Sequence, residues 1–133
     1  MDTINATFAR FEPLAHSIFR VITGLLLFQY GVAKILKFPT VPQFADPPPL
    51  ILTAGGIELV LGALLMIGLF SRIAAFILAG EMAFAYFIGH FPRGFFPLIN
   101  NGTAAILFCF ACLYLATAGG GPYSVDAAMG KKS

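Results

Sequence analysis

The sequence predicts an all-α fold: an integral membrane four-helix bundle with antiparallel helices and both termini on one side. Hydrophobic residues make up 59% of the 133 residues and charged residues only 11%, whereas soluble domains carry about 25% charged residues. Long apolar stretches alternate with proline-rich or glycine-rich breaks. The length of each stretch is close to that of an α-helix that crosses a bilayer, which is about 20 residues. These observations favour a protein that uses the lipid bilayer as its solvent.

The first long apolar stretch, residues 13–37, carries a stripe of charged and small residues. Arg20, Gly24, Gly31 and Lys34 follow one another at spacings that keep them on one face of a helix. In a membrane, lipid contacts the apolar faces, and small and polar residues face neighbouring helices. This stripe is therefore predicted to be the packing face of the first helix.

The remaining elements are separated by clear breaks, of which the segment 38–49 contains five prolines. Ser71 is expected to cap the third helix. The predicted organisation is an interfacial N-terminal segment at residues 1–12, helices at residues 13–37, 50–70, 72–89 and 98–118, and a polar C-terminal tail at residues 119–133. Five of the eight Lys and Arg residues would share the side of the termini, which favours cytoplasmic termini by the positive-inside rule.

Four charged residues, Arg20, Lys34, Glu58 and Glu81, are expected inside the membrane. An unpaired charge there costs at least about 2.5–3.5 kcal/mol, so opposite charges at similar depth should pair. A helical rise of about 1.5 Å per residue places Arg20 level with Glu81, and Glu58 level with Lys34 and Gln29. Pairing of Arg20 with Glu58 is the main alternative. Either acid could carry protons or bind a polar headgroup, or both could serve only as structural ion-pair partners.

A second set of polar residues is expected at the outer end of the bundle. Gln29, His90, Asn100 and Asn101 are candidate contacts for a ligand such as a quinone. His90 could donate a hydrogen bond or carry a proton, but it could equally be an interfacial residue that ends its helix. No metal site is predicted, because the other histidine, His16, lies at the opposite face.

The pair Cys109 and Cys112 forms a CxxC motif inside the fourth apolar stretch. Redox-active cysteines of this kind need an accessible thiolate at a helix N-terminus. Both residues are therefore interpreted as small packing residues, with redox activity as the less favoured alternative. Nucleic-acid binding is not expected, because the net charge is only +2 and no long basic run occurs.

Together these residues resemble the DoxX family of small bacterial inner-membrane proteins. The positions that fit family patterns are Arg20, Gly24, Gly31, Lys34, Gly55, Gly56, Ile57, Glu58, Gly62, Arg72, Asn100 to Gly102, and the tail from Gly119 to Asp126. One position departs from the pattern: Thr103 stands where the family often has an acidic residue. Any role of that acid would be absent from this chain.

The resemblance implies a multi-pass protein of the bacterial inner membrane that acts as a subunit or anchor of a membrane oxidoreductase system. No set of cofactor ligands is evident in the sequence. The resemblance makes quinone a possible cofactor, since the family name comes from a subunit associated with thiosulfate:quinone oxidoreduction. The expected partners are the lipid bilayer and other membrane or membrane-associated subunits. Two alternatives remain: a structural accessory subunit of a larger membrane complex, or a small proton-coupled transporter that uses Glu58 and Glu81 as exchange sites.

Overall fold

The computed structural model describes residues 1–130 and is all-helical over that range, as predicted. The helices are α1 (Asp2–Arg10), α2 (Glu12–Ile35), α3 (Pro49–Ile67), α4 (Ser71–Ala85), α5 (Pro97–Asn100), α6 (Thr103–Ala118) and α7 (Val125–Ala128). A 3₁₀ turn at Pro42–Phe44 precedes α3, and a π turn at Tyr86–His90 and a 3₁₀ turn at Phe91–Arg93 prolong α4. The last three residues of the predicted tail, Lys131, Lys132 and Ser133, lie outside the described residues.

Three helical stretches are long and apolar enough to cross a membrane: Glu12–Ile35, Pro49–Ile67 and Ser71–Arg93. Helix α6 is also apolar but has only 16 residues. Large hydrophobic side chains are exposed on the outer surfaces of these helices, among them Phe76 and Phe110. A surface of this kind is suited to lipid rather than to water.

The predicted helix at residues 98–118 differs from the structure, which divides this region into α5 and α6. Asn101 adopts the left-handed conformation with φ of 61°, so the first helical turn cannot continue. The backbone N–H of Gly102 donates instead to Oδ1 of Asn100 at 2.8 Å. The long helix therefore begins five residues later than predicted, at Thr103.

Helices α2 and α3 pack antiparallel with their backbones in direct contact. A Cβ atom added to Gly31 would lie 2.4 Å from the backbone nitrogen of Leu59. One added to Gly24 would lie 2.6 Å from the backbone nitrogen of Met66. The glycines of the predicted stripe therefore face α3, and they permit the close approach typical of membrane helices with small residues at their interface.

Helix α4 packs on α3 and on α6. A short turn at residues 68–70 joins α3 to α4. The interior that these helices share with α2 is apolar. Its fully buried members are Leu27, Leu65, Ala75, Leu78, Cys112 and Leu115. Alanines on α4 keep that helix thin, which lets α6 approach it closely.

The segment after α6 folds back over the end of the bundle. The carboxylate of Asp126 accepts hydrogen bonds from the backbone N–H groups of Phe70 and Ser71, each at 2.9 Å. The backbone N–H of Asp126 in turn donates to the carbonyl of Gly68 at 2.9 Å. Ser71 is thus the first residue of α4 and not its N-cap, contrary to expectation. Phe70 is the N-cap residue, and the carboxylate of Asp126 supplies the acceptor that a capping side chain would provide.

Replacement of Gly31 by Ala should destabilise the protein by about 1–3 kcal/mol, because the added methyl group must push α2 away from α3. Thermal unfolding in detergent micelles measures the effect. The matched control is Gly56→Ala on α3, where an added Cβ meets no atom within 4 Å and helix propensity improves. Equal stability of the two variants would contradict the backbone contact.

Replacement of Asp126 by Ala should lower stability by about 0.5–2 kcal/mol, because the first backbone N–H groups of α4 lose their acceptor. The same unfolding assay, combined with limited proteolysis of the C-terminal segment, measures this loss. Asp46→Ala is the control, since Asp46 is exposed in the loop before α3. An Asp126 variant that matches this control in both measurements would refute the capping role.

Candidate functional site

A buried ion pair joins α2 to α3. The Nζ atom of Lys34 lies 2.8 Å from Oε1 and 3.1 Å from Oε2 of Glu58. Glu58 is only 1% exposed and Lys34 only 8%. Gly55, one helical turn before Glu58, makes room for the lysine stem, since its own Cβ would lie 2.7 Å from Cβ of Lys34. Of the two expected partners of Glu58, the structure selects Lys34, and Gln29 is exposed.

Aromatic rings and a small cavity border the lysine end of this pair. Nζ of Lys34 lies 5.7 Å from the ring centre of Tyr30 and 5.4 Å from that of Phe44. Both distances fall within the range of cation–π attraction. The adjoining cavity of about 110 Å³ is lined by Gln29, Tyr30, Ala33, Pro39, Val41, Gln43 and Phe44. The cavity lies between α2 and the loop that follows it.

Glu81 on α4 joins the ion pair from the other side. Its carboxyl group lies within hydrogen-bonding reach of the carboxyl group of Glu58 and interacts electrostatically with Lys34. Its Oε1 atom is buried and has no hydrogen-bond partner among the described residues. We refer to Lys34, Glu58 and Glu81 as the charged cluster. It places two acids beside one cation in an apolar interior.

The register of the α3–α4 hairpin explains this arrangement. Glu58 lies ten residues before Gly68, and Glu81 lies ten residues after Ser71. Residues equally distant from a short antiparallel turn lie at the same level, because every residue adds the same rise. The predicted pairing of Arg20 with Glu81 is therefore wrong. That prediction estimated the depth of each residue from the end of its own helix and did not use the hairpin. The equal distance of the two acids from the turn was the signal in the sequence that could have placed them at one level.

Arg20 lies at the opposite end of the stripe and binds backbone carbonyls. Its Nε donates to Leu65 at 3.0 Å, and its terminal nitrogens donate to Gly120 and to Tyr123, the latter at 3.2 Å. Arg20 is 2% exposed, and its guanidinium interacts electrostatically with Asp126. The alternative pairing of Arg20 with Glu58 is also wrong. Arg20 instead fastens the C-terminal segment to the end of α3.

Asn100 organises the loop at the end of the bundle where α4 finishes. Its Nδ2 donates to the hydroxyl oxygen of Tyr86 at 3.1 Å and to the carbonyl of Gly94 at 2.9 Å. Its Oδ1 accepts from Gly102, and its carbonyl lies 3.1 Å from Nδ1 of His90. Asn100 is fully buried, so its side-chain amide serves the fold rather than an external ligand.

The four candidate ligand contacts are thus divided between two places. Gln29 lines the cavity beside Lys34, whereas His90 and Asn100 belong to the loop network around Tyr86. Asn101 is exposed beside that network. Tyr86 was absent from the predicted set. The hydrogen bond from Asn100 to its hydroxyl oxygen depends on the fold of the loop, which the sequence pattern does not reveal.

The two cysteines lie on the α6 side of the charged cluster. Both are free, Cys112 is fully buried in the apolar core and Cys109 is half-buried. Cys112 is close enough to Glu81 for an electrostatic interaction. Neither residue lies at the N-terminus of α6, where the helix dipole would stabilise a thiolate. Within the range 1–130, no group of three His, Cys, Asp or Glu residues is arranged to hold a metal ion.

Comparison with known proteins gives a consistent result. The sequence model of the DoxX family matches residues 15–91, the region that contains Arg20 and the charged cluster. An uncharacterized protein of Haemophilus influenzae is 39% identical over 129 residues, which cover 92% of this chain and 96% of the relative. No solved structure matches the chain significantly. The match to the family model over more than half of the chain shows that this protein belongs to the DoxX family.

Proposed function

We propose that this protein is a multi-pass subunit or anchor of a quinone-linked oxidoreductase system in the bacterial inner membrane. The observation that carries the proposal is the charged cluster of Lys34, Glu58 and Glu81 inside an apolar helical bundle. Ionisable groups in a membrane interior are costly, and by default they mark sites for substrates, ions or protons. The second support is membership of the DoxX family, together with the oxidoreductase context that the sequence resemblance implies.

The proposal includes four membrane crossings in an antiparallel bundle. Helix α6 is about 24 Å long, from 16 residues at a rise of about 1.5 Å. The preceding α5 turn extends this stretch toward the about 30 Å of a hydrocarbon core. Nε2 of His16 lies 2.8 Å from the carbonyl of Gly119, so α2 begins where α6 ends. With four crossings, both termini share one side, which the positive-inside rule favours as cytoplasmic.

A quinone headgroup fits the cavity beside Lys34 better than it fits the loop network around Asn100. The rings of Tyr30 and Phe44 offer apolar walls, and the amide groups of Gln29 and Gln43 offer hydrogen-bond donors. Asn100 already uses its side-chain amide within the protein. When bound, a quinone would supply the redox chemistry, and these residues would hold and orient its ring.

The size of the cavity restricts what can enter it. Its volume is about 110 Å³. Pockets for drug-sized ligands are larger, at about 300–1,000 Å³. A single ring would therefore enter, with an apolar tail left in lipid. Lys34 adjoins this space, so the charged cluster would be close enough to exchange protons with a bound ring.

A second candidate function, a small proton-coupled transporter, is favoured by the contact between Glu58 and Glu81. Two adjacent acids inside a membrane are a common arrangement for proton exchange. A third candidate, a purely structural accessory subunit, would use the charged cluster only to join α2, α3 and α4. The three candidates differ in what purifies with the protein and in what it transports.

Isolation from native membranes in a mild detergent should recover this chain together with an oxidoreductase subunit and a quinone. Gln29→Leu should lower the bound quinone about two- to tenfold, because one hydrogen bond of about 0.5–1.5 kcal/mol is lost. Quinone is measured by solvent extraction and mass spectrometry, with the exposed Asn5→Ala on α1 as the matched control. A preparation without either companion, together with proton-driven solute uptake in vesicles, would establish the transporter instead.

Exchange of the two charges tests whether the ion pair is only structural. Lys34→Glu and Glu58→Lys should each lower stability by about 3–5 kcal/mol, because each leaves buried like charges uncompensated. The double variant should recover most of that stability in detergent unfolding. A structural subunit would regain its biological activity with the double variant, whereas a cluster that handles protons or quinone would remain inactive.

A further inference from the structure

We propose that Glu58 and Glu81 together hold one exchangeable proton, with Lys34 as the counter-ion of the remaining negative charge. The charged cluster is then a one-proton site in the membrane interior. This inference concerns the same cluster as the proposed function, but it requires neither a quinone nor a partner enzyme.

The contacts of the cluster favour a shared proton. Both carboxylate oxygens of Glu58 accept from Nζ of Lys34, so Glu58 is the acid that is directly ion-paired. Glu81 reaches the same carboxyl group from α4. Two carboxylates in contact repel strongly when both are ionised, and such pairs keep one proton between them. A proton on Glu81 converts that repulsion into a hydrogen bond to Glu58.

Among the described residues, Lys34 is the cation that acts on Glu81. The neighbouring Lys37 is exposed and donates to the carbonyl of Phe44 at 2.9 Å. From α2 the cluster is faced by Lys34, from α3 by Glu58, and from α6 by Cys112 with Cys109 beside it. The donors of Arg20 bind carbonyl groups near the C-terminal segment instead. One cation and two acids are electrically neutral only when one acid carries a proton. Apolar surroundings favour the neutral combination, because net charge there is costly.

The proton would leave through the cavity beside Lys34, which the charged cluster adjoins but does not line. Tyr30 and Phe44 form part of its wall and also flank the ammonium group of Lys34. Two glutamine side chains line the same space and can hold water by hydrogen bonds. Release would leave Glu81 as a carboxylate and pass one proton to water in this cavity, and uptake would reverse the step. The site therefore exchanges with the side of the membrane on which the loop at residues 38–48 lies.

Infrared spectroscopy of the purified full chain in an ester-free detergent tests the proposal directly. A protonated carboxyl group gives a C=O stretching band that shifts in D₂O. A carboxylate has no such band. The chain has six acids. Asp2, Glu12 and Asp46 are exposed, and Asp126 accepts two backbone hydrogen bonds that favour its ionised form. At neutral pH the wild-type protein should show the band of one carboxyl group.

Three variants give different expected results, so the assignment does not depend on any one of them folding. Glu81→Gln should abolish the band, because Glu58 remains ion-paired with Lys34. Glu58→Gln should also abolish it, because Glu81 then faces the lysine alone. Lys34→Met should about double it, because both acids lose their counter-ion. The exposed Asp46→Asn is the matched control and should leave the band unchanged.

Absence of the band in the wild-type protein at neutral pH would overturn the proposal, because both acids would then be ionised. A band of two carboxyl groups that Lys34→Met leaves unchanged would overturn it as well. A band that persists in both glutamine variants would assign the proton to another acid. None of these results depends on a bound quinone or on a co-purifying enzyme, so the proposed function could fail while the proton site stands.

Discussion

The close contact between α2 and α3 is the constraint on which the rest of the structure depends. Gly24 and Gly31 bring the two backbones together, and only at that distance can Lys34 reach both oxygens of Glu58. Lipid provides no hydrophobic drive for helix association, so close packing and internal polar contacts must supply it. The glycines and the ion pair therefore support each other. The short turn between α3 and α4 then places Glu81 at the level of this ion pair.

The opposite end of the bundle meets a different requirement, because helix ends leave backbone groups without partners. At the α3–α4 turn the backbone N–H groups of Phe70 and Ser71 donate to Asp126. Arg20 donates to the carbonyl of Leu65. Both interactions depend on the C-terminal segment folding back across that end. In a membrane such groups cannot rely on water, so internal partners are favoured. Arg20 and Asp126 together close this end of the molecule.

The sequence predicted the helical class and the packing stripe because both follow from hydrophobic periodicity. It also predicted Lys34 as one of two partners of Glu58, because α2 and α3 are consecutive helices and the depth of each residue could be estimated from the helical rise. It missed the role of Asp126, because a carboxylate that caps a helix 55 residues away leaves no local pattern.

The start of α6 and the placement of the candidate ligand contacts show the same limit. The left-handed conformation of Asn101 depends on hydrogen bonds of Asn100 to Tyr86 and Gly94. Those contacts exist only when the loop is folded, so a hydropathy pattern cannot place the boundary. Gln29 and Asn100 were grouped because they share an end of the bundle. Depth alone does not determine which face of that end a side chain occupies.

The two cations of the α2 stripe have different chemical capacities, and their partners match that difference. Arginine stays charged under all ordinary conditions and offers a planar set of donors, which suits permanent contacts with carbonyl groups. Arg20 makes such contacts, and nothing around it needs to change charge for the fold to persist. Lys34 faces two acids that can exchange a proton while its own charge compensates one of them. A function that involves protons would therefore use the Lys34 end of the stripe, whereas the contacts of Arg20 hold the C-terminal segment on the end of α3.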